Sequence, residues 1–120
     1  MNKPTAIIGS SPKPERYAYL ATQRLKKHGH TVFPVGIHAG EIEGEIILTN
    51  KPQLKDIHTV TLYVGPQNQA AWIDYIYSLQ PKRIIFNPGT ENLDFFKTAS
   101  EKGIECIEAC TLVMLSIDNY

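Results

Sequence analysis

The sequence predicts a three-layer α/β domain built on a parallel sheet, and three observations carry that prediction. The chain opens with a short apolar run, Thr5-Ala6-Ile7-Ile8, that stops at Gly9, crosses a polar, proline-bearing turn and re-emerges as an amphipathic helix. Short β-branched runs then alternate with helical stretches of about ten or more residues, the pattern of strands joined by crossover helices. Four strand exits, residues 9–11, 34–36, 65–67 and 87–89, are composed almost wholly of small or rigid residues. Backbone groups rather than long side chains would therefore face whatever lies beyond the sheet.

The elements follow in order. The first strand spans residues 5–9, and the first helix spans 14–28. Tyr17, Leu20, Ala21 and Leu25 repeat at helical spacing there, Pro14 fits the first turn, where its missing N–H costs nothing, and Gly29 terminates. The second strand covers 31–36. Residues 40–47 form an acidic, glycine-punctuated connection with one short extended piece, and 54–57 a brief helical turn. The third strand, 59–64, closes at Gly65-Pro66. Pro66 opens a second helix that carries Ala70, Ile73, Ile76 and Tyr77 on one side and ends before Pro81. The fourth strand is 83–86. Thr90 is expected to N-cap a third helix with Leu93, Phe96 and Ala99 buried and Gly103 as its stop. The fifth strand is 105–108, and 112–115 pack as a last helical turn.

With 120 residues, the chain is one domain spanning 1–120, long enough for a single core. No apolar run reaches the length of a membrane span, and Met1-Asn2-Lys3-Pro4 lacks the apolar core of a secretion signal. A cytoplasmic location and no membrane partner are expected. The net charge is zero but unevenly placed: residues 1–30 hold six Lys/Arg against Glu15 alone. A basic side around the first turn suits an anionic small ligand, whereas nucleic acid would require an overall positive excess. Arg24, Lys26 and Lys27 read as a solvated helix face.

The first strand–turn–helix unit places a ligand site at Gly9 to Tyr17, where backbone N–H groups and a helix N-terminus can receive a phosphate. It is not a dinucleotide fingerprint. Ser11 and Pro14 stand where G-x-G-x-x-G needs its second and third glycines, and no carboxylate closes the second strand before Glu41. An NAD(P)-binding oxidoreductase fragment is thereby disfavoured on two independent counts.

Ile8-Gly9-Ser10-Ser11 with Pro14, Arg16 and Tyr17, Val32-Phe33-Pro34-Val35, Ile84-Ile85-Phe86-Asn87-Pro88-Gly89 and residues 103–111 occur in an order that resembles the small stand-alone CoA-binding proteins. These are Rossmann-like domains related to the CoA-binding domain of succinyl-CoA synthetase α subunits. The resemblance covers nearly the whole chain. It implies a Rossmann-like three-layer domain with a five-stranded parallel sheet, coenzyme A or an acyl-CoA as ligand, and no established reaction: a carrier, a sensor or a partner of CoA-using enzymes. By position it implies pyrophosphate contacts from Gly9, Ser10, Ser11 and Arg16, an adenine end beside Pro34 and Val35, and Tyr17 with Asn87, Pro88 and Gly89 facing the rest. The chain departs from the family where many members carry W-x-Q-x-G or Asp-Arg-Cys and this one reads Phe86-Asn87-Pro88-Gly89 and Glu108-Ala109-Cys110. The 3′-phosphate of CoA needs a cation of its own, and Lys13 is the candidate.

Several of these residues also have a purely structural reading. Gly9 can be a turn glycine, Arg16 a solvated first-turn residue and Tyr17 a core residue beside Leu20 and Ala21. No catalytic residue is assigned. Cys110, at the strand-carboxyl edge, could serve a thioester-acting enzyme, with His38 approaching through the fold, or be a small half-buried residue. Cys106 reads as core, and its four-residue spacing from Cys110 is not the redox C-x-x-C. His28, His30, His38 and His58 form no metal-ligand spacing, and Glu41, Glu43 and Glu45 read as the solvated side of an extended segment, so no metal is expected. Trp72 reads as core or as a dimer contact. With Tyr75 and Tyr77 it gives the second helix more aromatic surface than one buried stripe can use, so a homodimer is expected.

Overall fold

The computed structural model describes residues 1–120. In chain order its elements are β1 (Thr5–Ile8), α1 (Tyr17–Lys27), β2 (Val32–Val35), β3 (Glu41–Ile42), β4 (Glu45–Ile46) and β5 (Thr59–Leu62), then a single 3-10 turn (Pro66–Asn68). They continue with α2 (Ala70–Ser78), β6 (Arg83–Phe86), α3 (Leu93–Glu101), β7 (Glu105–Glu108) and α4 (Thr111–Ser116). Five strands make one sheet in the order β2-β1-β5-β6-β7, and every pairing is parallel. The α/β fold and its five-stranded parallel sheet are as the sequence predicts.

β1, β5 and β6 are buried along their full length, which is why, apart from Arg83 at the start of β6, they read as continuous apolar and β-branched runs rather than as alternating patterns. β7 pairs on one side only and leaves Glu105 and Glu108 exposed, as an edge strand can. On one face, α1 and α4 cover Ile7 and Val32 with Ala18, Leu25 and Leu115. On the other, α2 and α3 cover Ile8, Val60, Leu62, Ile84 and Phe86 with Trp72, Ile76, Phe95 and Ala99. Phe86 meets Phe95 edge-on at 5.3 Å between ring centroids. The chain runs from β1 outward to β2, then crosses back to β5 on the other side of β1. The strand order therefore reverses between β1 and β5.

Several local expectations shift. α1 starts at Tyr17, because residues 13–16 form a turn closed by Arg16 N–H donating to Lys13 O at 3.1 Å. Its buried stripe is Ala18, Ala21, Thr22 and Leu25, not one led by Tyr17 and Leu20; Tyr17 is 70% exposed. Thr22 fits that stripe because its hydroxyl donates to Ala18 O at 2.9 Å, so a polar residue occupies a position the apolar spacing assigned to its neighbours. α3 is capped by Asn92, whose Oδ1 accepts from Phe95 N–H, whereas Thr90 turns its hydroxyl to Asn87 O at 2.8 Å. The helix therefore buries Phe95 and exposes Leu93. α2 buries Trp72, Tyr75 and Ile76 and exposes Ala70.

Residues 54–57 form no helical turn. Residues 41–46 fold as an antiparallel hairpin, β3 on β4, turning at Glu43 and Gly44 with φ of 49° and 84°, the left-handed pair a tight hairpin requires. The aromatic residues of α2 point inward. Trp72 lies edge-on to Tyr75, Tyr77 packs on Phe95, and the Tyr75 hydroxyl donates to Pro52 O at 2.7 Å. The aromatic surface of α2 is thus used within the domain.

Candidate functional site

The site begins where β1 ends. Gly9 has φ of 98°, and a Cβ there would stand 2.8 Å from Tyr63 O, so only glycine fits against the β5 exit. On the other side, a Cβ on Gly36 would collide with Ser10 O, so the β2 exit presses equally close. The N–H groups of Gly9 and Ser10 both donate to Val35 O at 2.9 Å, and Ser10 Oγ donates to Ile7 O at 2.8 Å. The turn is thus clamped between its two neighbours, with the donors of Gly9 and Ser10 already used.

Beyond that clamp the donors are free. Ser11 N–H has no acceptor in the protein, while its Oγ accepts from Lys13 N–H at 3.2 Å. α1 has no side-chain cap, and the N–H groups of Tyr17 and Ala18 are likewise without acceptors. These three donors lie at the mouth of a cavity of about 770 Å³, the size of a cofactor site.

The β1 exit and α1 line this cavity with Gly9, Ser10, Ser11, Lys13, Arg16, Tyr17 and Ala18, and the β2 exit adds Ile37 and His38. Tyr63, Val64 and Gly65 come from the β5 exit, Asn68 from the 3-10 turn and Trp72 from α2 that follow it, and Pro88, Gly89 and Thr90 from the β6 exit. The cavity thus crosses four neighbouring strand ends, roughly 15 Å at the usual strand spacing, centred on the reversal of strand order.

Its charge is one-sided. Lys13 and Arg16 are the fixed charges among the lining residues, which include no Asp or Glu. Neither is paired, since the chain's one salt bridge joins Lys26 to Glu45 at 2.9 Å.

Beneath the floor lies a buried polar network. Asn87 Nδ2 donates to Thr61 Oγ1 at 2.7 Å and to Leu62 O at 2.9 Å, and its Oδ1 accepts from Thr111 N–H at 2.9 Å. It ties β5, β6 and the start of α4 together. Burial raises the Tyr63 hydroxyl well above the ordinary phenol range.

Of the residues singled out from the sequence, Gly9, Ser10, Ser11, Lys13, Arg16, Tyr17, Pro88 and Gly89 come together around one cavity. Pro34, Val35 and Asn87 lie behind it: the first two are buried in β2, where Val35 O holds the β1 turn, and Asn87 is 1% exposed. Ile37, Tyr63, Val64, Asn68, Trp72 and Thr90 went unnoticed as lining. Ile37 could have been found by continuing the β2 exit past Gly36; Trp72 could not, since its spacing reads as core. His38 reaches the cavity, but Cys110 caps α4 outside it. Cys106 is half-buried in β7, and burial raises its thiol.

The family described as CoA binding domain matches residues 3–116. No curated protein matches this sequence. Among solved structures, an uncharacterized protein is 51% identical over 100% of this chain and 99% of its own, with a TM-score of 0.98. A hypothetical protein from Pyrococcus horikoshii OT3 is 28% identical over 96% of this chain and 82% of its own, with a TM-score of 0.83. A dinucleotide-forming acetyl-coenzyme A synthetase from Ca. Korarchaeum cryptofilum, solved with phosphate and ADP, shares the fold at 17% identity and a TM-score of 0.73. The match covers 89% of this chain but 25% of the synthetase. A family match that leaves out only the first two and last four residues, on a sheet whose order reverses at this cavity, makes the chain a member of the CoA binding domain family.

Proposed function

We propose that the chain holds coenzyme A or an acyl-CoA along the carboxyl edge of its sheet, as a carrier, a sensor or a partner of a CoA-using enzyme. The observation that carries this reading is the coincidence of three free N–H donors and two unpaired cations in one cavity without a carboxylate. A pyrophosphate requires that environment, and the free α1 N-terminus supplies its favourable dipole as well.

In this reading the pyrophosphate meets Ser11 and the N–H groups of Tyr17 and Ala18, with Arg16 adding charge-assisted bonds and Lys13 taking the 3′-phosphate. Gly9 and Ser10 shape the turn rather than donate, because their donors are already engaged. The adenine end lies at the β2 exit. Pro34 and Val35 form the buried backing there, and Ile37, 73% exposed, gives the ring an apolar face. Tyr17 and the Asn87-Pro88-Gly89 turn bound the path of the pantetheine arm. NAD has less support: the β2 exit places no carboxylate in the lining to receive a ribose hydroxyl.

Isothermal titration with CoA, 3′-dephospho-CoA and NADH tests the reading. We expect CoA to bind with Kd on the order of micromolar, dephospho-CoA more weakly, and NADH not to register. Silence with all three would remove the ligand assignment and leave the fold intact.

A further inference from the structure

We infer that Gln69 is a positioning residue that sets the far wall of the cavity, where the pantetheine arm or its acyl group would lie; this rests on the CoA reading. Gln69 is 0% exposed, though it opens onto no bulk solvent and carries no charge to neutralise. Its Nε2 donates to Val64 O at 2.8 Å and to Thr90 O at 2.7 Å. Its Oε1 accepts from Asn92 Nδ2 at 2.9 Å, and Asn92 in turn caps α3.

Both carbonyls belong to residues that line the cavity, one at the β5 exit and one at the β6 exit. These exits have no backbone ladder of their own beyond Leu62 and Phe86, where the β5–β6 pairing ends. Beyond the Asn87 Nδ2 bond to Leu62 O at the sheet's rim, the buried Gln69 amide therefore carries the cross-link between the exits outward and fixes the distance across the wall. Thr90 is held from its other side by its hydroxyl bond to Asn87 O; at the β5 exit Tyr63 N–H is bound to Ile8 O at 2.8 Å, and Gln69 holds the next carbonyl, that of Val64. Holding two loops in their ligand-ready arrangement removes an ordering cost from binding.

The positioning role makes a prediction that plain stability does not. Adenosine 3′,5′-bisphosphate carries the adenine, the 3′-phosphate and the inner phosphate of the CoA pyrophosphate but no pantetheine arm, so it would reach the β1 and β2 exits and not the far wall. Gln69→Met keeps the shape and removes both donors. We expect it to weaken CoA about tenfold while leaving the bisphosphate within about twofold of wild type, since the lost order lies only on the arm's side.

Hydrogen exchange on the same variant should show residues 64–68 and 87–92 losing protection together, with α1 unchanged. Equal weakening of both ligands, unchanged CoA affinity, or exchange that rises throughout the domain would each overturn the assignment. Gln69→Glu, which sets a carboxylate against two carbonyl oxygens, should exaggerate the same split if it folds. Wild-type protein that binds neither ligand would overturn the CoA reading itself and the assignment of the arm with it. A variant that alone fails with CoA is distinguishable from that case.

Discussion

The two edges of the central sheet are built from similar residue types and use them in opposite ways. At the amino edge, Arg83 Nε donates to Thr59 Oγ1 at 3.0 Å and Nη1 to the main-chain oxygen of Tyr120 at 3.1 Å, and the guanidinium lies 4.5 Å from the Tyr120 ring centroid. The Tyr120 hydroxyl meets Thr5 Oγ1 at 2.6 Å, and Lys3 Nζ donates to the same Tyr120 oxygen. Cation, phenol and hydroxyls satisfy one another, save Arg83 Nη2, which is buried without a partner. At the carboxyl edge, Lys13, Arg16 and Tyr17 also gather beside small polar residues, yet the cations are unpaired and Tyr17 is exposed. The closed edge spends its polar groups on the fold, and the open edge leaves Lys13, Arg16 and the first N–H groups of α1 without partners. Residue type does not distinguish the two; partners do.

That contrast breaks most visibly at Arg83. Arg83→Ala removes two donors from buried acceptors and the cover from Tyr120, and should cost about 3–4 kcal/mol of stability. CoA affinity, measured where the variant is still folded, should not change. Urea denaturation measures the first and isothermal titration the second; a loss below about 1 kcal/mol would mean the amino edge is not the stabilising end.

Asn87 sharpens the comparison from the other side, because it sits at the carboxyl edge and is used as an amino-edge residue is. Asn87→Ala strands Thr111 N–H and Leu62 O in a buried site and should cost about 2–3 kcal/mol in the same denaturation experiment. Arg16→Ala is the converse. It should leave the denaturation midpoint in place and weaken CoA binding by about 1.5–3 kcal/mol, the range of a charge-assisted hydrogen bond. Unchanged affinity would return Arg16 to the solvated face of the turn.

The same contrast explains what the sequence could disclose. β1 and β5 were legible because burial on both faces leaves only apolar and β-branched residues, and β6 and β7 fall where the sequence puts them although Arg83, Glu105 and Glu108 interrupt that pattern. Helix faces were legible less well. In α1 the stripe is completed by Thr22, whose hydroxyl is satisfied inside the helix, and a hydropathy pattern cannot register that bond. The start of α3 went to Asn92 rather than Thr90 because two capping residues stood within reach, and a contact to Asn87, distant in pattern though near in chain, decided between them.

At the site, Gly9 through Tyr17 could be read because they are contiguous. Gln69 could not, since nothing local distinguishes a buried amide bridging two loops from a solvated one. Tyr120 and Arg83 lie 37 residues apart, and only the folded chain brings them together.

The smallest effect lies at the amino edge again and concerns protons. His30 Nδ1 accepts the Lys3 N–H at 2.9 Å, and its ring rests on Tyr120 with centroids 4.9 Å apart, so folding favours the neutral form of this histidine. Burial is the main cause of its lowered pKa, and the N-terminal amine, Lys3, His28 and Arg83 push the same way. His58 is lowered too, first by burial and then by Arg83. Above the ordinary value of 6.5 the ring is neutral whether the chain is folded or not, and it contributes no slope. As pH falls through that value the unfolded chain takes up the proton first, so stability declines with acidification until the folded ring also protonates. His30→Gln keeps an acceptor for Lys3 and removes the titration. Its urea midpoint should fall less than that of wild type between about pH 8 and about pH 5.5, with the residual slope containing the His58 contribution. Parallel losses in the two proteins would show that His30 is not held neutral by folding, and would leave the amino edge closed by Arg83 and Tyr120 without it.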